Sequence, residues 1–214
     1  MLLYHGSDKI IRAPKIDGGR IHNDYGQGFY CTKHMELAKE WAVSNVKDGF
    51  VNSYELDDTN LNIINLNNDG YSILHWLTLL LDNRTLKTSN AIAIDGLEYL
   101  KDNYYIDISD YDVVIGYRAD DSYFKFARAF LSNSISIAQL EQSMHLGELG
   151  LQYFIRSQKA FEQIRFIDAT AVDHRIYYPL KSGRDTNARN EYIRITQNMH
   201  KDGVYLIDLM RKES

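Results

Sequence analysis

The chain predicts an α+β fold, and three observations carry the prediction. Short β-branched or alternating runs such as "YDVVIGYR" and "FVNSYELD" are interleaved with stretches of helical periodicity such as "KHMELAKEWAVSN". Two consecutive helical patterns from Tyr71, "YSILHWLTLLLDN" and "SNAIAIDGLEYLKDN", interrupt the strands and read as an insertion packed on a sheet. At 214 residues, 44% of them hydrophobic, the chain is long and apolar enough to bury one sizeable core.

Taken in order, residues 2–6 and 26–32 read as short strands joined by the polar, Gly-containing connection "DKIIRAPKIDGGRIHND". A helix follows, with Met35, Ala38, Trp41 and Ala42 on its apolar face and Thr32 as N-cap. "FVNSYELD" and "LNIINL" are successive strands, after which comes the two-helix insertion. "YDVVIGYR" is the clearest strand, and it runs into "ADDSYFKFARAFL", whose Asp120 and Asp121 suit a helix N-terminus. "ISIAQLEQSMHLG" is helical, "LQYFIR" a strand, "SQKAFEQI" a helix capped by Ser157, and "RFIDAT" a closing strand. The order is therefore β, β, α, β, β, α, α, β, α, α, β, α, β. After Pro179 the chain turns polar, and Lys and Arg outnumber the acids. That segment reads either as a partner-binding appendage or as a helix docked on the core.

Composition removes several function classes. The single cysteine, Cys31, leaves no disulfide framework, zinc-finger spacing or redox pair, which fits a reducing cytoplasm. No apolar run approaches the ~20 residues that a membrane span needs, and no signal-peptide pattern opens the chain. The net charge of -5 argues against an obligate, sequence-independent grip on nucleic acid. There is no HExxH, GxSxG, Walker loop or dinucleotide fingerprint, and the histidines lack metal-ligand spacing, so no metal is expected. His75, on the apolar "ILHWL" stretch, reads as a satisfied core histidine.

What remains is a constellation from three strands: His5 and Gly6 in "LYHGS", Tyr30 behind Gly26 and Gly28 in "DYGQGFYCT", and Gln152 in "LQYFIRSQKAF". These pieces resemble the ADP-ribosyltransferase fold of the diphtheria-toxin and poly-ADP-ribose-polymerase type, with its His-Tyr-Glu triad. More closely, "LYHGS", "DYGQGFYCTKHMELAKEWA", "YDVVIGYRADD" and "SQKAFEQIRF" are similar to the bacterial DUF3990 family, from residue 2 to about residue 168. The resemblance implies a split antiparallel sheet with helical insertions, an ADP-ribosyltransferase-like domain at 1–178 with its insertion at about 71–105, and a C-terminal extension at 179–214.

It further implies NAD as substrate, with His5, Tyr30 and Gln152 as the triad. His5 would bond an adenosine-ribose hydroxyl, Gly6 would meet the carboxamide, and Tyr30 would stack on the nicotinamide. Trp41 would be its second slab or a core residue, with Ser7, Gly28 and Thr32 close by. Arg20 is a pyrophosphate contact or a solvated loop arginine, and Asp24 a fixed family position or an Asx turn. Gln152 stands where a glutamate is expected, so the missing acid would come from Glu148, Asp120 or Asp121. The implied activity is mono-ADP-ribosyl transfer to a macromolecule, a protein in preference to RNA or DNA. The implied role is a toxin of a toxin-antitoxin or phage-defence system, held by an antitoxin. The alternatives are NAD hydrolysis without an acceptor, or a binding module for NAD or ADP-ribose.

Overall fold

The structure, a computed structural model, describes residues 1–84, 88–118 and 123–212. Strands β1 (Leu2–Ser7) and β2 (Phe29–Cys31) precede helix α1 (Met35–Ala42), and β3 (Gly49–Leu56) and β4 (Ile63–Asn65) follow it. Next come α2 (Ile73–Asn83), α3 (Ala91–Tyr104), β5 (Val113–Tyr117), α4 (Tyr123–Leu131), α5 (Ile137–Met144), β6 (Leu151–Ile155), α6 (Gln158–Gln163) and β7 (Ile164–Val172). That is the order the sequence predicts, and α7 (His174–Thr196) and α8 (Leu206–Lys212) follow.

The strands form two sheets, β1-β3-β7 and β2-β6-β5-β4. The first is antiparallel throughout. The second is antiparallel through β2, β6 and β5, and only its edge strand β4 runs parallel, to β5, so the expected split antiparallel core is mixed at that one edge. The cause is the insertion: a parallel pair needs a long crossover, and α2 and α3 supply it.

The two sheets face each other. Leu3, Tyr54 and Leu56 of the first meet Phe29, Cys31, Val113, Ile115, Tyr153 and Ile155 of the second in one buried cluster. Strand alternation sends Val114 and Phe154 to the opposite face, where Trp76, Leu77, Leu80, Leu100, Phe126 and Phe130 cover them. Each large side chain sealed there contributes about 1.5–3 kcal/mol. On the outer face of the first sheet, Val51 and Val172 meet Ala38, Ala42 and Val43. Gly6 makes that approach possible, because a Cβ there would lie 2.1 Å from the Ala38 carbonyl oxygen. The layers are thus α1 with α7, the first sheet, the second sheet, and a helical layer.

Three local expectations change. In α1 the buried residues are Leu37, Ala38, Glu40 and Ala42, while Met35 and Trp41 are only partly covered, because α7 closes over a second side of the helix. The N-cap of α1 is His34, and Thr32 instead accepts the His34 N–H on its Oγ1 at 3.2 Å. His75 is not a core residue: its Nδ1 accepts the Ser72 N–H at 2.9 Å, so it caps α2 from a half-exposed position. Ser157 does cap α6, accepting from the Ala160 N–H at 3.0 Å.

The segment after residue 178 docks on the core. α7 runs unbroken through Pro179 from His174, so the change in composition there is not an element boundary. Its first turn is fastened by Asp48, whose Oδ1 accepts from the His174 backbone N–H and ring Nδ1 at 2.8 and 2.6 Å. Arg184 grips the buried Glu40 with two bonds of 3.0 and 2.9 Å. Tyr205 and Leu206 are buried, Leu206 against Gly96 of α3. Among the described residues no helix is long and apolar enough to cross a membrane.

Candidate functional site

β1, β2 and β6 bring their candidate residues to one cavity of about 530 Å³, lined by His5, Gly6, Gly28, Tyr30, Trp41 and Gln152. The volume suits a ligand of nucleotide size. The loop after β1 forms another wall with Ile11, Pro14 and Lys15, and Arg20, Asn23 and Asp24 come from the loop before β2.

His5 is held by its ring. Nδ1 lies 2.7 Å from the Tyr30 carbonyl oxygen, which only accepts, so Nδ1 carries the proton and donates. Nε2 is then left as an acceptor. Burial pushes the His5 pKa down, with the bond to the Tyr30 backbone opposing the shift, and this keeps the ring neutral. The ring also packs on Phe29 at a centroid distance of 4.4 Å.

Tyr30 is anchored at its tip. Its hydroxyl donates to the Gly26 carbonyl at 2.6 Å and accepts the Tyr25 N–H at 3.2 Å, while its ring leans on Phe154. Burial raises its pKa far above the ordinary phenol range, so the group is neutral and presents an aromatic ring to the cavity wall. Gly28 fits between β2 and β6, where a Cβ would collide with the Phe154 ring at 2.4 Å.

Gln152 is 3% exposed. Its Nε2 donates to Asp24 Oδ2 at 2.9 Å and to the Tyr117 carbonyl at 3.1 Å. That carbonyl, at the end of β5, also receives the Tyr25 hydroxyl at 2.8 Å and the Trp76 indole N–H at 3.0 Å. Asp24 is buried as well, and its Oδ1 lies 2.6 Å from Arg84. Asp24 is therefore tied into the cavity wall, beyond any turn-forming role.

Charge distinguishes this cavity from the chain as a whole. Among the described residues, Lys15, Arg20, Arg84 and Arg118 line it, against one carboxylate, Asp24, in a protein of net charge -5. The Arg118 guanidinium lies over the Trp41 ring at 3.7 Å. Such a wall attracts an anion such as a pyrophosphate and already accommodates a flat cation on an indole face. Trp41 thus belongs to the cavity rather than to the core.

Other expected residues lie elsewhere. Ser7 and Thr32 are not among the lining residues; Thr32 is buried with its backbone bridged to Tyr4. Glu148 sits in a left-handed turn with φ 47° and lines a neighbouring hollow of about 320 Å³ with Tyr117, Arg118 and His145. It does not reach the cavity that holds Gln152. Asp120 and Asp121 lie outside the described residues.

Sequence reasoning missed Lys15, Arg84 and Arg118 as lining residues, and Asn52 as a support. Asn52 is fully buried on β3; its Oδ1 accepts the Ile11 N–H at 2.8 Å and its Nδ2 donates to the Lys9 carbonyl at 3.2 Å. It thereby shapes the loop that bears Lys15. A polar residue inside the strand "FVNSYELD" was the available signal. Arg118, directly after β5, was visible as a cation at a strand end, whereas Arg84 reaches the site only because the insertion folds back.

No curated protein and no solved structure matches the chain. Residues 1–166 match the family described as protein of unknown function (DUF3990). Among the described residues, that span contains the lining residues of the cavity, the whole second sheet, and all of the first sheet but the last six residues of β7. The chain belongs to the DUF3990 family.

Proposed function

We propose that the chain is an NAD-dependent mono-ADP-ribosyltransferase, acting on a macromolecular acceptor and releasing nicotinamide. The observation that carries this reading is the convergence of His5, Tyr30 and Gln152, from three separate strands, on one cation-lined cavity. Each group has chemistry to contribute. The His5 Nε2 acceptor suits a ribose hydroxyl, and the arginines and Lys15 suit the pyrophosphate. The Tyr30 and Trp41 rings suit a planar nicotinamide. A pyridinium that stacks on Trp41 would take the place of the Arg118 guanidinium, one delocalised cation for another.

The acceptor is proposed to be a protein, in keeping with the acidic net charge. The resemblance to toxins of toxin-antitoxin pairs makes an antitoxin a proposed partner. The test is nicotinamide release from labelled NAD by purified protein, with lysate separated into protein and RNA fractions. Release with label entering one fraction, lost in Tyr30→Ala, upholds the reading and gives the acceptor class. Release without labelled macromolecule indicates a glycohydrolase. Tight NAD binding without release, unchanged by Gln152→Ala, indicates a binding module.

A further inference from the structure

Gln152 occupies the strand position where an acid is expected, but an acid there would face another acid. The Gln152 amide nitrogen contacts the Asp24 carboxylate at 2.9 Å and the Tyr117 carbonyl at 3.1 Å. Both neighbours only accept, so the amide must turn its NH2 toward them, and both of its protons are spent. Its orientation is fixed by that chemistry, and Oε1 is the atom it has left to offer a ligand hydroxyl. Asp24 lines the same cavity as Gln152, His5 and Tyr30, and Arg84 fixes its second oxygen at 2.6 Å. The charge sought on β6 is present one contact away, on the loop before β2.

The geometry points to Asp24 as the residue that supplies the negative charge of the site, with Gln152 as the positioning residue that holds it and accepts a ribose hydroxyl. This rests on the transferase reading. In that reaction the bond between ribose C1′ and the nicotinamide nitrogen breaks, and its electron pair leaves with neutral nicotinamide. Positive charge passes from the pyridinium to C1′ and the ring oxygen. A lone pair of the acceptor forms the new bond to C1′, and the acceptor's proton passes to water. A carboxylate fixed beside the ribose favours the sugar-centred cation over the ring-centred one, and so stabilises the transition state more than bound NAD.

The test exchanges the two groups: nicotinamide release and NAD affinity are measured for wild type, Asp24→Asn, Gln152→Glu and the double variant Asp24→Asn/Gln152→Glu. Asp24→Asn is expected to lower kcat on the order of a hundredfold while NAD affinity changes by less than about fivefold. Gln152→Glu sets two carboxylates in contact and is expected to lose activity to a similar degree. The double variant restores one acid and one amide and is expected to exceed both single variants by about tenfold or more. Full activity in Asp24→Asn, or a double variant no better than the singles, overturns the inference while leaving the transferase reading intact. Wild type that binds NAD and releases nothing removes both. Should Asp24→Asn fail to fold, the double variant decides: release near the wild-type rate upholds the exchange, and folded, NAD-binding protein without release overturns it.

Discussion

Among the described residues, two buried carboxylates each pair with a partly exposed arginine, and the two pairs differ in what surrounds them. Glu40 and Arg184 join α1 to α7 through two bonds, with the Glu40 side chain 5% exposed and that of Arg184 29%. Arg184 also donates to the Gly147 carbonyl at 2.8 Å, in the turn that leads into β6. Asp24 and Arg84 are covered to a similar extent, 5% and 20%, but they stand at a cavity wall and share their carboxylate with an amide. The first carboxylate is gripped by both arms of one guanidinium, an arrangement that fixes two helices. The second is shared between a guanidinium and a neutral amide at a cavity wall, an arrangement that sets a carboxylate beside the cavity rather than between two helices. Burial of an ion pair is by itself weak evidence for either role; the neighbours decide.

The largest effect expected from this contrast is on stability. Glu40→Ala removes one partner of a covered pair and should cost about 2–4 kcal/mol, less than a fully sealed pair because Arg184 keeps some contact with water. For a chain of this size that is a fall in Tm of roughly 5–12 °C. Scanning calorimetry checks it. Joint replacement by Glu40→Met and Arg184→Met should recover a good part of the loss. Asp24→Asn should move Tm less than Glu40→Ala and nicotinamide release more, and the opposite order would erase the distinction between the pairs.

The next effect concerns the aromatic wall. Trp41→Ala should weaken NAD binding about tenfold, the equivalent of ~1.4 kcal/mol, and Trp41→Phe should keep part of the affinity. Tm should stay within a few degrees of wild type, because the indole lines the cavity rather than the sealed core. Calorimetric titration with NAD measures the first and thermal melts the second. A large drop in Tm with unchanged NAD affinity would return Trp41 to a packing role.

How far the sequence reveals each region follows from the range of the interactions involved. The strands β5 and β6 and the helix α6 are legible because alternation and capping are local, and Ser157 marks its helix without help from the rest of the fold. His5, Tyr30 and Gln152 are legible as pieces of three strands. The parallel pairing of β4 with β5 is not, since two short apolar runs carry no sign of relative direction. Nor is the partnership of Asp24 with Gln152, separated by 128 positions. Gly6 shows a further limit: its place in "YHGS" suggests a ligand approach, yet the α1 backbone already demands a glycine there. Glu40 falls on a polar position of the α1 pattern and becomes buried only because α7 arrives with Arg184.

The smallest effects involve two histidines whose pKa values burial pushes down, one in the cavity and one at a helix cap. For both, the folded value lies below the ordinary 6.5, so the neutral form is favoured by folding. The stability tied to it is present above pH 6.5 and lost as pH falls through the folded value. In the cavity, protonation of His5 turns Nε2 from acceptor to donor, so NAD affinity should be level above about pH 6.5 and fall only below it. At the α2 cap, protonated His75 can no longer accept the Ser72 N–H, and its bond there is lost. His75→Ala should therefore cost about 0.5–1 kcal/mol at neutral pH, in the range of a lost cap. That cost should shrink on acidification while NAD affinity at pH 7.5 stays unchanged. Urea melts at pH 7.5 and 5.5 separate the two sites: a His75→Ala variant whose deficit is the same at both values would show that the cap does not depend on the neutral ring.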